Sequence, residues 1–187
     1  MGKIVVTEFI SLDGVIEDPG GAEGYEHGGW SFTFDQGEEG RTFKLDELMA
    51  ADAQLLGRVT YQGFAKAWPA MTDPVGFADK MNGMPKYVVS TTLTDPSWNN
   101  TTVLDTAAAA KDLKEKYQGD ILIAGSATLV RALTDLGLVD EYRLMIFPLI
   151  LGSGKRLFDG ARRTKLQLAD VNRIGADGVT IQRYTTA

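Results

Sequence analysis

Residues 3–11 (KIVVTEFIS) form a β-branched run that stops at the turn-forming Leu12-Asp13-Gly14, so a strand is predicted there. Over 17–40 glycine and acidic residues replace the apolar pattern, which predicts a long loop. Phe43, Leu45, Leu48 and Met49 then supply the buried face of a helix over about 41–51. A short strand at 53–57 (AQLLG) leads into a helix carrying Tyr61, Phe64 and Trp68. Further short strands are predicted at 86–90 (KYVVS) and 101–104 (TTVL). A helix over 106–117 is capped by Asp105 or Thr106 and closed by Gly119. Next come a strand at 120–125, a helix over 126–137 with Leu129, Leu133 and Leu136 along one side, and a strand at 141–147. The chain ends differently. Two strands, 164–174 and 178–185, are joined across Gly175-Ala176-Asp177-Gly178, a hairpin signal.

Strand–helix alternation followed by a hairpin predicts an α/β fold: an eight-stranded, mostly parallel sheet with antiparallel strands at one edge. No linker-like tract, repeat or low-complexity segment divides the chain, so one domain over 1–187 is expected. The stretch 143–154 (RLMIFPLILGSG) is more apolar than an edge strand and its loop require. It reads either as an interface, which predicts a homodimer, or as a fully buried central strand.

Composition narrows the function classes. At 187 residues, 44% hydrophobic, the chain can build a real core, and a formal charge of −6 argues against a broad nucleic-acid surface. With no cysteine and a single histidine, His27, there is no thiolate chemistry and no multi-histidine metal site to build. The apolar run 144–151 is broken by Pro148 and is too short to span a bilayer. The start, MGKIVVTEF, lacks the regions of a secretory signal, and Val6 breaks the myristoylation pattern. A cytoplasmic protein without membrane or nucleic-acid partners is expected.

Open α/β sheets bind ligands at the carboxyl ends of their strands, where helix N-termini offer unpaired N–H groups. Three exits carry suitable residues: Gly57-Arg58-Val59-Thr60, Ser90-Thr91-Thr92, and Gly125-Ser126-Ala127-Thr128. Each also has a purely structural reading. Arg58 can lie along a helix surface, Thr60 and Ser126 can cap first turns, and Ser90–Thr92 can form a turn. No G-x-G-x-x-G follows any strand, which sets this chain apart from Rossmann dehydrogenases.

The segments SLDGVI, LLGRVTY, VVSTTL, ILIAGSATLVRAL and GLVDEYRLMIFPLILGSGKRLF stand in the order seen in the dihydrofolate reductase-like superfamily. The chain resembles most the C-terminal reductase domain of the bifunctional riboflavin-biosynthesis enzyme and its stand-alone bacterial relatives, over about residues 3–158. That resemblance implies a three-layer α/β/α fold, NADPH as cofactor and hydride transfer to a small heterocyclic substrate. It sets Arg58, Val59 and Thr60 against the cofactor phosphates, with Ser90 and Thr91 at the 2′-phosphate. Gly57 lets the backbone approach, and Gly125, Ser126, Ala127 and Thr128 supply N–H groups to the pyrophosphate. The loop Asp13–Ile16 is placed beside the nicotinamide, with Ile16 in contact and Asp13 as a catalytic candidate or a plain turn former. One departure stands out: Ala124 precedes Gly125 where the reductase pattern has consecutive glycines.

On the substrate side, Trp30 and Phe34 either stack on a flat ring or pack beneath the loop, and Asp35 is a candidate for ring binding or protonation. Lys155 and Arg156 are candidates for a substrate phosphate. The resemblance implies 5-amino-6-(5-phosphoribosylamino)uracil reduction; folate reduction and a nucleotide-binding homodimer without turnover are the alternatives. The bifunctional enzyme's deaminase chemistry is excluded, because its zinc ligands require cysteine.

Overall fold

The computed structural model describes residues 1–186. Its strands are β1 (Lys3–Ser11), β2 (Ala51–Gly57), β3 (Lys86–Val89), β4 (Thr101–Leu104), β5 (Asp120–Ile123), β6 (Glu141–Phe147), β7 (Leu166–Ile174) and β8 (Val179–Thr186). The α-helices are α1 (Gly37–Ala50), α2 (Arg58–Ala67), α3 (Phe77–Gly83), α4 (Ala110–Lys116) and α5 (Ala127–Asp135). All eight strands join one sheet in the order β4-β3-β2-β5-β1-β6-β8-β7. The first six in that order run parallel, and β8 and β7 add the antiparallel hairpin.

Strand alternation divides the core between two faces. Ile4, Val6 and Ile10 of β1 and Ile121 and Ile123 of β5 pack against Leu113 of α4 and Leu129, Val130 and Leu133 of α5. Val5 and Leu122, one residue out of phase, pack against Leu48 of α1, Tyr61 of α2 and Met81 of α3. The sheet is therefore the middle of three layers, and its central strands are buried on both sides, as parallel sheets require.

Several boundaries differ from expectation. α1 starts at Gly37 rather than near 41, with Glu38 and Glu39 in the first turn where the helix dipole favours them. Neither Asp105 nor Thr106 caps the following helix; a 3-10 turn at Ala107–Ala109 intervenes. α3 has no counterpart in the sequence reading. The apolar run at 143–154 is the larger correction. β6 lies between β1 and β8 and pairs with both, so Met145 and Phe147 are core residues and not an interface. The edge is β7, whose Leu168 and Val171 are each 51% exposed.

A buried ion network ties the amino half of the sheet to α1. Arg143 on β6 binds Glu141 at 2.8 Å and Asp120 at 2.7 Å and approaches Glu47 of α1 at 3.7 Å. Arg183 on β8 adds a second cation at 2.9 Å from Glu141. Burial pushes the Glu141 carboxyl up, but Arg143 and Arg183 outweigh it and hold the group below its ordinary value. Replacing Arg143 with Met leaves buried carboxylates short of a partner, so a loss of about 3–5 kcal/mol is expected. Urea unfolding at neutral pH checks it; a loss under about 1 kcal/mol would show the network to be energetically idle.

Candidate functional site

The carboxyl ends of β3, β2 and β5 lie side by side next to β1, which runs on past them, and three inter-strand steps of ~4.8 Å carry the row roughly 14 Å across. At its middle, β2 runs straight into α2, whereas β5 reaches α5 through Ala124, Gly125 and Ser126. Gly57 donates its N–H to Ser126 Oγ at 2.9 Å, and that hydroxyl donates to Thr60 Oγ1 at 2.8 Å. One serine thus latches the two exits together. Reaching that position puts Gly125 and Ser126 both in the left-handed region, at φ 64° and 62°. A Cβ on Gly125 would stand 3.0 Å from Thr60 Oγ1, so glycine is required for space as well as for conformation. The first-turn N–H groups of α2 and α5 have no intrahelical acceptor and open toward the same edge.

The flanking residues divide into free and engaged groups. Arg58 is exposed and touches only Gln62, at 2.9 Å, and Val59 is exposed beside it. Thr91 and Thr128 are exposed, and Ala127 is buried in the α5 packing. Ser90 is spent locally: its hydroxyl accepts the N–H groups of Thr92 at 3.1 Å and Leu93 at 3.0 Å. Ile16 is buried, its N–H bonded to the Lys155 carbonyl at 2.9 Å.

Asp13 holds a loop. Its carboxylate accepts the Ser11 hydroxyl at 2.7 Å and the N–H groups of Leu151 at 3.1 Å and Gly152 at 2.9 Å. The Ser11 bond, followed by those backbone bonds, pulls its pKa down to about 2. These bonds fit the turn-forming reading of Asp13 and favour its ionised form. Lys155 and Arg156 are paired as well, to Glu17 at 3.0 Å and to Asp13 at 3.5 Å.

Trp30 is 3% exposed, with its indole N–H on the Glu17 carbonyl at 2.9 Å. It meets Phe147 edge-on at 5.2 Å, and Phe34 and Phe9 crowd the same ring at 5.5 Å and 5.6 Å. The packing reading therefore holds for Trp30, which has no free face for a ligand. Asp35 is exposed and accepts the Gly37 N–H at 2.8 Å, and its own N–H binds Asp177 in the β7–β8 turn. That turn lies at the carboxyl end of β6, beside the end of β1 and away from the β2 and β5 exits.

Four residues that the sequence reading missed, Thr7, Glu8, Lys44 and Glu47, stand where the sheet parts. β1 and β5 pair only as far as Val6 and Ile123, while β1 continues against β6 to Ser11. The opening between them is the topological switch point, with α1 on one face and α5 on the other. On the α1 face, Thr7 donates to Glu47 Oε2 at 2.7 Å and accepts from Lys44 Nζ at 2.6 Å. Lys44 also pairs with Glu47 and lies 5.4 Å from the centre of the Phe9 ring. On the α5 face, Glu8 is buried near Gly125. The signal for Glu8 was a charge inside a β-branched run; Lys44 and Glu47 read as an ordinary i, i+3 pair.

Residues 2–180 match the family model described as RibD C-terminal domain. The chain belongs to that family. YyaP of Bacillus subtilis (strain 168) is 28% identical over 184 residues, covering 96% of this chain and 93% of its own. A putative riboflavin biosynthesis protein from Shewanella sp. PV-4 superposes with a TM-score of 0.76 at 19% identity, covering 99% of both chains. The diaminohydroxyphosphoribosylaminopyrimidine deaminase/5-amino-6-(5-phosphoribosylamino)uracil reductase of Thermotoga maritima matches over 100% of this chain and 57% of its own, with a TM-score of 0.66 at 16% identity. At such identities the structures speak for the fold, and the family match supports a reductase-like function. Among the described residues no helix is long and apolar enough to cross a membrane.

The depressed Asp13 carboxylate stabilises the folded state above its ordinary value of 3.8, and that contribution fades as pH falls toward about 2. Asp13→Asn is therefore expected to be less stable than wild type at pH 7 and to lose less between pH 4 and pH 2. Thermal melts at the two ends check this, and parallel curves for the two proteins would contradict it.

Proposed function

We propose that this chain is an NADPH-dependent reductase of a planar pyrimidine- or pterin-like compound. The observation that carries the reading is the pair of helix N-termini locked side by side by the Ser126 hydroxyl, with the free guanidinium of Arg58 at their margin. Backbone N–H groups there suit a pyrophosphate, and Arg58 with Thr91 suits a terminal phosphate monoester. The glycine at 125 fits this use, since its lack of a side chain lets the turn pack against Thr60 and keeps the two helix starts together. When bound, the cofactor supplies hydride; the protein's part is orientation and exclusion of water.

The substrate belongs on the α1 face of the opening between β1 and β5, over Thr7 and Phe9. Lys44, rather than Asp13 or Asp35, is the acidic group that stands there, braced by Thr7 and Glu47. It can hold a carbonyl oxygen of the ring or give a proton to the reduced centre. Trp30 braces the loop above, and Phe34 closes the aromatic cluster on Phe147.

Arg58 meets a phosphate that NADH lacks, so NADPH is expected to bind at least tenfold more tightly than NADH. Arg58→Ala should erase most of that difference while leaving NADH affinity nearly unchanged. Fluorescence titration of both cofactors measures this, with NADPH oxidation followed alongside on aminouracil and pterin substrates. Equal affinities in the wild type would overturn the assignment of Arg58, and absence of any binding would overturn the reductase reading.

The expected homodimer moves with the correction to β6. Its place is the β7 edge, a nine-residue strand with unpaired backbone on one side and Leu168 and Val171 exposed. Light scattering at micromolar concentration should return twice the 20.3 kDa chain mass. Val171→Lys should return the monomer, and a wild-type monomer would remove the proposal.

A further inference from the structure

Glu8 sits on the most enclosed strand of the sheet and is 6% exposed. It shares a face with Val6 and Ile10, which pack against Ala127 and Leu129 of α5, and its pairing partner on β6 is Leu144. Among the described residues its Oε1 has no hydrogen-bond partner. Continuing the β1–β5 register past Val6 and Ile123 brings Glu8 level with Gly125, the first left-handed residue of the turn into α5. The backbone N–H of Gly125 is the polar group that faces the carboxyl. A buried acid with an open oxygen therefore lies beside Gly125, the residue that leads into the anion-suited start of α5.

Two negative groups cannot share that helix start cheaply. An ionised Glu8 and a bound phosphate would draw on the same N–H groups and the same dipole end, in surroundings with little water to screen them. A neutral Glu8 removes the conflict. Burial is the largest influence on Glu8 and pushes its pKa well above the ordinary carboxyl value; Gly125 acts against it. The charged groups that reach Glu8 from α1 are Lys44, which favours ionisation, and Glu47, which opposes it. From β5, β6 and α5 the packing is apolar: Ile123, Leu144, Ala127 and Leu129.

We propose that Glu8 couples dinucleotide binding to proton uptake: the site holds its anionic ligand with Glu8 neutral, and ionisation of Glu8 expels the ligand from the N-terminus of α5. The proposal rests on the reading of that helix start as the cofactor pyrophosphate site. It makes Glu8 a positioning residue, acting through Gly125 and the helix start rather than by touching substrate.

The linkage has a definite sign. A bound anion raises the Glu8 pKa further, so affinity is constant below the free protein's Glu8 pKa and falls above it. The limiting slope is about tenfold in Kd per pH unit for one coupled proton. NADH is the probe, because it carries the pyrophosphate without the titrating 2′-phosphate, and NADPH is the second ligand. Titration calorimetry at fixed pH in buffers of different ionisation enthalpy counts the protons taken up on binding. Wild type should take up a fraction of a proton that grows with pH toward one, and Glu8→Gln, which imitates the neutral acid in shape, should take up none and bind with flat affinity. Glu8→Met serves the same purpose if the Gln variant does not fold, and the wild-type proton count needs no variant at all. Binding without proton uptake, or identical pH profiles for wild type and variant, would overturn the coupling and leave the cofactor site standing. No binding of either dinucleotide between pH 5.5 and 9 would overturn the cofactor site, and the coupling with it.

Discussion

One serine hydroxyl sets the geometry of the strand-end row. Ser126 accepts from Gly57 and donates to Thr60, so the end of β2, the first turn of α2 and the start of α5 form one unit. Its backbone takes a left-handed conformation that is unusual for a residue with a side chain, and the two hydrogen bonds offset that strain. Everything nearby follows. Gly125 must lack a side chain because Thr60 occupies the space, and the two helices must begin at the same height. A site for an extended anion arises from backbone held in place, with few charged side chains committed to it.

The fold was legible because parallel strands buried on both faces are written as short, largely apolar runs, and KIVVTEFIS, AQLLG and DILIAG are such runs. The hairpin was legible from its paired glycines. Misreadings arose where composition could not distinguish two buried environments. RLMIF reads alike as an interface or as a strand with neighbours on both edges, and only the pairing of β6 with β1 and β8 decides. α3 escaped notice as a seven-residue helix whose glycine boundaries resemble a loop.

The exits that carry Gly, Ser and Thr were recognised, but the work of each hydroxyl was not. Thr60 and Ser126 bind each other and Ser90 closes its own turn, so the hydroxyls of Thr60 and Ser90, expected at phosphate, brace backbone together with that of Ser126. Asp13 and Trp30 show the same shift from ligand to scaffold. Asp13 ties residues 11 and 152, and Trp30 ties the loop to Glu17 and Phe147. Such contacts link positions far apart in the chain, and no local pattern announces them.

The charges that remain unexplained by scaffolding gather where β1 leaves β5. Thr7 and Glu8 are adjacent in sequence but point to opposite faces, as the strand's period of two demands. One meets the Lys44–Glu47 pair, and the other lies beneath the Gly125 turn. The strand is one residue thick there, so Lys44 and Glu47 still act on Glu8 through it. Glu47 is shared between Lys44 and Arg143, whereas among the described residues no cation pairs with Glu8. Burial is the largest influence on Glu8 and pushes its carboxyl well above the ordinary value. The parting of the two strands thus sets a buried carboxyl on one side of β1 and an ammonium on the other.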